Sequence, residues 1–238
     1  VRLQRRLDGK LELAERVKEM SDLKITIVGN SERDAAVRSV VAAFSVDPAG
    51  RWMYPDSERY QKYFPVFVNA FAGAAFEHGT AYSCGADAAA LWLPPGVRPD
   101  GEALVELIRR SVAERDQAEV FEFFDQMDRF HPGEQHWYLP LIGVVPEKQS
   151  RGYGAALLKA VLERCDADDR LAYLEASSPR SVPLYERHGF KVLGAIQAGT
   201  SPTMYPMARK PNRSAGRKQG ARFPQSTVES SGAEPTLK

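Results

Sequence analysis

The sequence predicts an α/β fold, with strands and helices interleaved around one core, and three observations carry that reading. Residues 80–84 and 88–93 are two short apolar runs flanking Gly85-Ala86-Asp87, the pattern of a β-hairpin closed by a glycine-containing loop. Residues 137–145 form an aromatic and β-branched run ended by Pro146, and a glycine loop then leads into strong helix formers from Ala155 to Leu162. Elsewhere apolar residues recur at helical spacing, as over 101–111 and 114–130.

Taken in order, residues 1–19 carry Leu3, Leu7, Leu11 and Val17 among many charges, and either an extension or docking helix outside the domain or an N-terminal helix packed on the core is expected there. Lys24-Ile25-Thr26-Ile27-Val28 reads as a first strand. A helix follows, with Ser31 as its N-cap and Val37, Val40, Val41 and Phe44 as its apolar stripe, and Asp47-Pro48 stops it. Arg51-Trp52-Met53-Tyr54-Pro55 is an aromatic loop. A second helical region over 58–76 brings Tyr63, Phe67, Phe71 and Phe76 to one wall, with Trp52 and Tyr54 beside it as candidates for contact with a substrate. After the hairpin and its two following helices, His131-Pro132-Gly133 leads into the strand at 137. Residues 191–196 and 203–208 read as closing strands. From Pro211 the chain is rich in Gly, Ser, Pro, Gln and charge, so the domain is expected over 20–210 and a disordered tail over 211–238.

The chain has 238 residues, is 43% hydrophobic and 26% charged, and has a formal net charge of +1, which argues against nucleic acid as its main partner. No run of apolar residues is long enough for a membrane span, and Cys84 and Cys165 are too few and too far apart for a disulfide framework or a Cys-His metal site. A reducing cytoplasm fits this usage. The sequence does not specify an oligomeric state, and a homodimer stays open.

The chemistry concentrates between His136 and Phe190. Gln149, Gly152 and Gly154 follow the strand in a loop where missing Cβ atoms let backbone N–H groups approach a ligand, and the first turn of the helix behind them suits a diphosphate. The spacing Gln149-x-x-Gly152-x-Gly154 resembles the acetyl-CoA signature of the GNAT superfamily of N-acetyltransferases. Two later blocks agree with it: Leu171-Ala172-Tyr173-Leu174-Glu175-Ala176 is similar to the family's next strand, and residues 182–190 to the segment bearing its tyrosine acid. The wider layout looks most like the branch of that family containing puromycin N-acetyltransferase. Ser150 stands where the family often has glycine, Ser181 where it often has asparagine, and Pro140 implies a bulge or an unpaired N–H position in the motif strand.

The resemblance implies a mixed, mostly antiparallel sheet with helices on both faces, splayed where acetyl-CoA binds. It implies cofactor contacts from Ile142, Gly143, Val144, Gln149, Ser150, Arg151, Gly152, Tyr153, Gly154, Ala155 and Ser181, with no metal. The reaction implied is acetyl transfer to the primary amine of a small molecule or peptide; a non-catalytic CoA-binding sensor or assembly module is the alternative. Tyr185 is carried over as the acid that protonates the departing thiolate. For the base, Glu175 leads, on the same strand face as Leu171 and Tyr173, with His136 and Glu134 as other candidates. A dinucleotide site fails on detail, because Leu157 occupies the third glycine position and the first glycine does not follow its strand directly.

Overall fold

In a computed structural model of the chain, residues 23–212 are described. The expected extension over 1–19 and all of the expected tail except Pro211 and Asn212 lie outside them. Strand β1 (Thr26–Ile27) leads into a 3-10 turn, Asn30–Glu32, and helix α1 (Arg33–Phe44). Ser31 is therefore inside the turn and not the N-cap. The Glu32 carboxylate closes this entrance instead, accepting from the Gly29 N–H at 3.1 Å. Asp47 caps the short helix α2 (Pro48–Met53): its Oδ1 accepts from Ala49 N and Gly50 N, both at 3.0 Å, and Pro48 takes the first-turn position, where no N–H is needed.

The aromatic region expected as one helix over 58–76 is two, α3 (Ser57–Ala72) and α4 (Ala74–Glu77), joined at Gly73. The joint needs glycine, since a Cβ at Gly73 would lie 2.2 Å from the Asn69 carbonyl oxygen. The hairpin forms as expected from β2 (Ala81–Cys84) and β3 (Ala88–Leu93), with Gly85 at φ +56° in its loop. Helices α5 (Gly101–Ser111) and α6 (Glu114–Phe130) follow, then β4 (Trp137–Val144), α7 (Tyr153–Ala167), β5 (Ala172–Ala176) and α8 (Val182–Arg187). The closing strands are β6 (Lys191–Val192) and β7 (Tyr205–Arg209). The strand expected over 191–196 stops early because Leu193 N–H bonds to Pro206, a proline with no N–H to return; one isolated bridge, Ile196 to Met204, continues the direction.

These strands make one seven-stranded sheet in the order β1-β2-β3-β4-β5-β7-β6, with β4 and β5 parallel and every other pair antiparallel. Helices cover both faces. Ala89, Leu91, Leu93, Tyr138, Leu141 and Tyr173 pack with α1, α3, α5 and α6, whereas Ala88, Ala90, Trp92, Trp137, Leu139 and Leu174 pack with α7. Within β4 the side-chain alternation breaks once. Leu93 pairs with Tyr138 but Leu91 with Leu141, so β4 carries one extra residue at Leu139-Pro140. The bulge moves Leu141 onto the face of Tyr138 and Ile142 and Val144 onto the face of Leu139. The β4–β5 ladder ends at the same place, with Leu139 paired to Leu174, and the two parallel strands separate beyond it.

Candidate active site

The gap between β4 and β5 offers backbone donors. Val145 N–H bonds to Asp87 in the hairpin loop at 2.9 Å, so the alternation of an antiparallel pair turns the N–H groups of Val144 and Ile142 away from β3 and into the gap. Gly143, between them, belongs to the β3 ladder. Its missing side chain serves packing: a Cβ there would lie 2.6 Å from Ala43 Cβ and 3.5 Å from Val40 Cα, so only glycine lets α1 lie this close to the sheet. On the far side of the gap, Gln149 Nε2 donates to the Val144 carbonyl at 3.2 Å and ties the loop to the strand.

A groove of about 1540 Å³ runs from this gap along the start of α7. Of the predicted cofactor residues, Val144, Gln149, Ser150, Gly152, Tyr153, Gly154, Ala155 and Ser181 line it; Ile142, Gly143 and Arg151 do not. Gly152 is the N-cap of α7 at φ +90°, and no side chain caps the helix, so the first-turn amides face the groove without an intrahelical acceptor. Gly154 packs against α8, where a Cβ would come 3.2 Å from Leu184 Cδ2. Ser150 holds φ +63°, a backbone region in which glycine is at ease and L-residues are strained. Lys148, Arg180 and Arg187 also line the groove. The sequence reading missed these three cations, since only the fold brings them beside a helix N-terminus.

On the α1 face lies a second space, a cavity of about 560 Å³ walled by Phe44, Trp52, Phe64, Phe67, Phe71 and Phe123 among others. Of the aromatic residues expected to wall an acceptor site, Phe67, Phe71 and Trp52 line this cavity, and Tyr63 and Phe76 do not. Tyr54 does not either: it is buried, with its hydroxyl 2.8 Å from Ser111 Oγ. The only charged groups in the lining are Asp47 and Glu175. Asp47 and Ser177 line both the cavity and the groove, so the two spaces meet at this pair, whose side chains hydrogen-bond to each other. Burial raises the Asp47 pKa, against hydrogen bonds from Ser177, Gly50 and Ala49 that oppose the shift. In the sequence Asp47-Pro48 reads as the stop of the preceding helix; the structure adds that Asp47 caps α2 and stands at the junction, neither of which was read from the sequence.

Glu175 shares the Tyr173 face of β5, as alternation predicts, and its side chain is 2% exposed. Tyr138 O–H donates to its Oε2 at 2.9 Å, while Oε1 accepts no hydrogen bond. Burial and then the Glu175 charge push the Tyr138 hydroxyl well above its ordinary pKa. His131 Nε2 lies 3.4 Å from Oε1, and His131 Nδ1 is 3.2 Å from His136 Nε2. Desolvation lowers the His136 pKa, favouring the neutral ring. Glu134 touches this group only through its main-chain carbonyl, which bonds His136 Nδ1 at 2.8 Å. His131 was legible only as a residue before the strand; its contact with Glu175 joins positions 44 residues apart.

Tyr185 sits in α8, 6% exposed, with its ring 6.1 Å from Phe190, and it lines neither space. Burial and then the Asp47 charge push its hydroxyl pKa up.

A parallel pair that splays at a bulge, with a glycine loop and an uncapped helix beside the gap, is the arrangement the sequence motif implied. Residues 129–211, which contain every one of these parts, match the family model described as an acetyltransferase (GNAT) domain. The chain carries a GNAT acetyltransferase domain. A stretch of 54 residues is 37% identical to an uncharacterized N-acetyltransferase of Schizosaccharomyces pombe, covering 23% of this chain and 22% of that protein. Beyond the motif region, the GNAT fold extends over most of the chain. A crystal structure titled histone acetyltransferase HPA2 and related acetyltransferase, from Corynebacterium glutamicum, superposes with a TM-score of 0.56 at 26% identity, over 79% of this chain and 96% of that one. Arylalkylamine N-acetyltransferase 2 from Aedes aegypti shares the fold at 10% identity, with a TM-score of 0.57 over 80% of this chain and all of that one. Among the described residues, no helix is long and apolar enough to cross a membrane, and no cluster of His, Cys, Asp and Glu could hold a metal ion.

Proposed function

We propose that this protein transfers the acetyl group of acetyl-CoA to the primary amine of a small molecule with an apolar body, by direct attack. One observation carries the reading: the cationic, amide-lined groove and the aromatic cavity meet at Asp47 and Ser177, beside the gap into which Val144 and Ile142 aim their N–H groups. The groove fits CoA. Its uncapped helix start, Gly152 and Gly154 suit a diphosphate, and Arg180 and Arg187, neither ion-paired among the described residues, add charge for phosphate.

In this mechanism the chain supplies four things. The cavity buries the apolar part of the amine, and Asp47 and Glu175 attract its ammonium end. Glu175 Oε1, which accepts no hydrogen bond, takes the proton that must leave before nitrogen can attack. The N–H groups in the splay meet the negative charge that develops on the thioester oxygen. Tyr185, whose neighbour Leu184 lines the groove, is the candidate donor to the departing sulfur.

The test is thiol release from acetyl-CoA with a panel of apolar aromatic, polycationic and peptide amines. Turnover highest with apolar amines is expected, and Glu175→Gln should lower it by about 10²-fold or more. Tight acetyl-CoA binding with no thiol release from any amine would instead favour a CoA-binding module.

A further inference from the structure

Six phenylalanines and Trp52 form the aromatic lining of the acceptor cavity. A phenylalanine is held by packing alone, but the half-buried Trp52 is also held by its indole, whose Nε1–H donates to the Thr200 hydroxyl at 3.1 Å. An indole N–H can only donate, so Thr200 Oγ1 accepts in this bond and its own hydrogen points elsewhere. It goes to Glu119 Oε2, 2.8 Å away, which also accepts from the Thr200 N–H at 3.0 Å. These two bonds hold the Glu119 carboxyl below its ordinary pKa and so keep it an acceptor. Each member has one possible direction, and the chain of bonds runs from Trp52 through Thr200 to Glu119.

Thr200 belongs to the connection between β6 and β7, and α6 grips that connection along one stripe at helical spacing, Glu119, Phe123, Gln126 and Phe130. Gln126 accepts from the Gln197 N–H and donates to the Gln197 carbonyl, both at 3.2 Å. Phe130 stands against Gly194, where a Cβ would come 2.7 Å from its ring. A Cβ on Gly199, which holds φ +50°, would stand 2.3 Å from Glu119 Cδ, so glycine is what lets the carboxylate reach the main chain there. Within the stripe Phe123 lines the cavity, its ring centroid 5.3 Å from that of Trp52, and Met204 at the end of the connection lines the cavity too. Three separate elements thus meet at this wall, and the Thr200 hydroxyl bonds to both of the others.

We propose that Glu119 and Thr200 are positioning residues that clasp Trp52 against Phe123 and so set the largest amine body the acceptor cavity admits. The proposal rests on the acetyltransfer reading above. With the clasp shut, Trp52 and Met204 are fixed walls, and an amine is selected by how well its apolar body fills the space they leave. With the clasp open, the half-buried indole is free to turn toward solvent, so the cavity takes a bulkier body and grips a small one less. None of the three clasp residues lines the groove, so the cofactor side is untouched.

Two measurements on the full chain with CoA bound decide this. Indole N–H exchange, read by proton–nitrogen NMR, follows the clasp itself. The chain has three tryptophans, and Trp92 and Trp137, whose Nε1 atoms are buried with no hydrogen-bond partner among the described residues, serve as references. Thr200→Val should speed Trp52 exchange by about tenfold or more and leave the other two signals unchanged, while Thr200→Ser keeps the wild-type rate; equal Trp52 rates in wild type and Thr200→Val overturn the clasp. Calorimetric titration with benzylamine and naphthylmethylamine follows the size limit. The ratio of the two affinities should move toward the larger amine by about tenfold in both Thr200→Val and Glu119→Ala, with Thr200→Ser and every CoA affinity within about twofold of wild type. A ratio that stays within about twofold in the two open variants, or no binding of either amine to any of these proteins, overturns the size role. Thiol release from acetyl-CoA is followed beside the titrations. Release by the wild type with an unmoved ratio ends the clasp and leaves acetyltransfer standing; a moved ratio with no release ends acetyltransfer and leaves the clasp.

Discussion

Replacing Gly143 by alanine tests whether the contact between α1 and β4 builds the site. The added Cβ would stand 2.6 Å from Ala43 Cβ and 3.5 Å from Val40 Cα, whereas carbon atoms in packed interiors rest about 3.5–4.0 Å apart. The clashing atom, Ala43 Cβ, is fixed to main chain and no rotamer relieves it, so α1 must retreat by about 1 Å. Overpacking of this kind costs about 1–3 kcal/mol, and for a domain of this size each kcal/mol lowers Tm by about 2–4 °C. The functional loss should exceed the stability loss, because α1 and the turn after it carry Ala43 of the groove, Phe44 of the cavity and Asp47 of both. The assay is a double-mutant cycle with Ala43→Gly, read by urea melts and acetyl-CoA titration. Ala43→Gly alone costs about 1 kcal/mol as a glycine within a helix, yet in the Gly143→Ala background it removes the clashing atom and should recover stability. Strict additivity, or a Gly143→Ala protein as stable and as tight for acetyl-CoA as wild type, would refute the close-approach argument.

Further expectations follow from the groove and the junction. Gly154→Val places a branched side chain against Leu184, whose Cδ2 lies 3.2 Å from the ideal Cβ, so calorimetry should show weaker acetyl-CoA binding in a folded protein; unchanged affinity would remove the loop from the site. Tyr185→Phe keeps the buried ring and should lower kcat by about 10²-fold, the low end for acid catalysis, because a thiolate is already a fair leaving group; a change within about twofold would make Tyr185 a packing residue. Asp47→Asn preserves the cap of α2, and its stability difference from wild type should vary with pH. The folded pKa of Asp47 is raised, so its contribution to stability is greatest below its unfolded pKa and is lost as pH rises through the folded value; urea midpoints that diverge in the opposite sense would contradict this.

Much of the fold was legible because the signals are local. The bounds of α5, α6 and the hairpin follow from apolar period, caps and a glycine loop within a few residues, and the strand, loop and helix from Trp137 to Ala167 follow from composition. Pro140 announced its irregularity, but only the register shows the consequence, an extra residue that ends the β4–β5 ladder and sends Ile142 and Val144 to the α7 face. Ser31 misled because a serine before an apolar stripe looks the same whether the chain enters through a cap or a 3-10 turn.

By itself the sequence determined the α/β class, the groove loop and the place of Glu175 on the strand face it shares with Leu171 and Tyr173. Only the tertiary structure decided the chemistry around it. It joined Asp47 to Ser177 across 130 residues, set Arg180 and Arg187 beside the α7 start, and placed His131 against Glu175. The reason is physical: helical and strand periods are set by backbone geometry within a few residues, whereas a proton path or an ion's cradle depends on distances between side chains that local pattern leaves free.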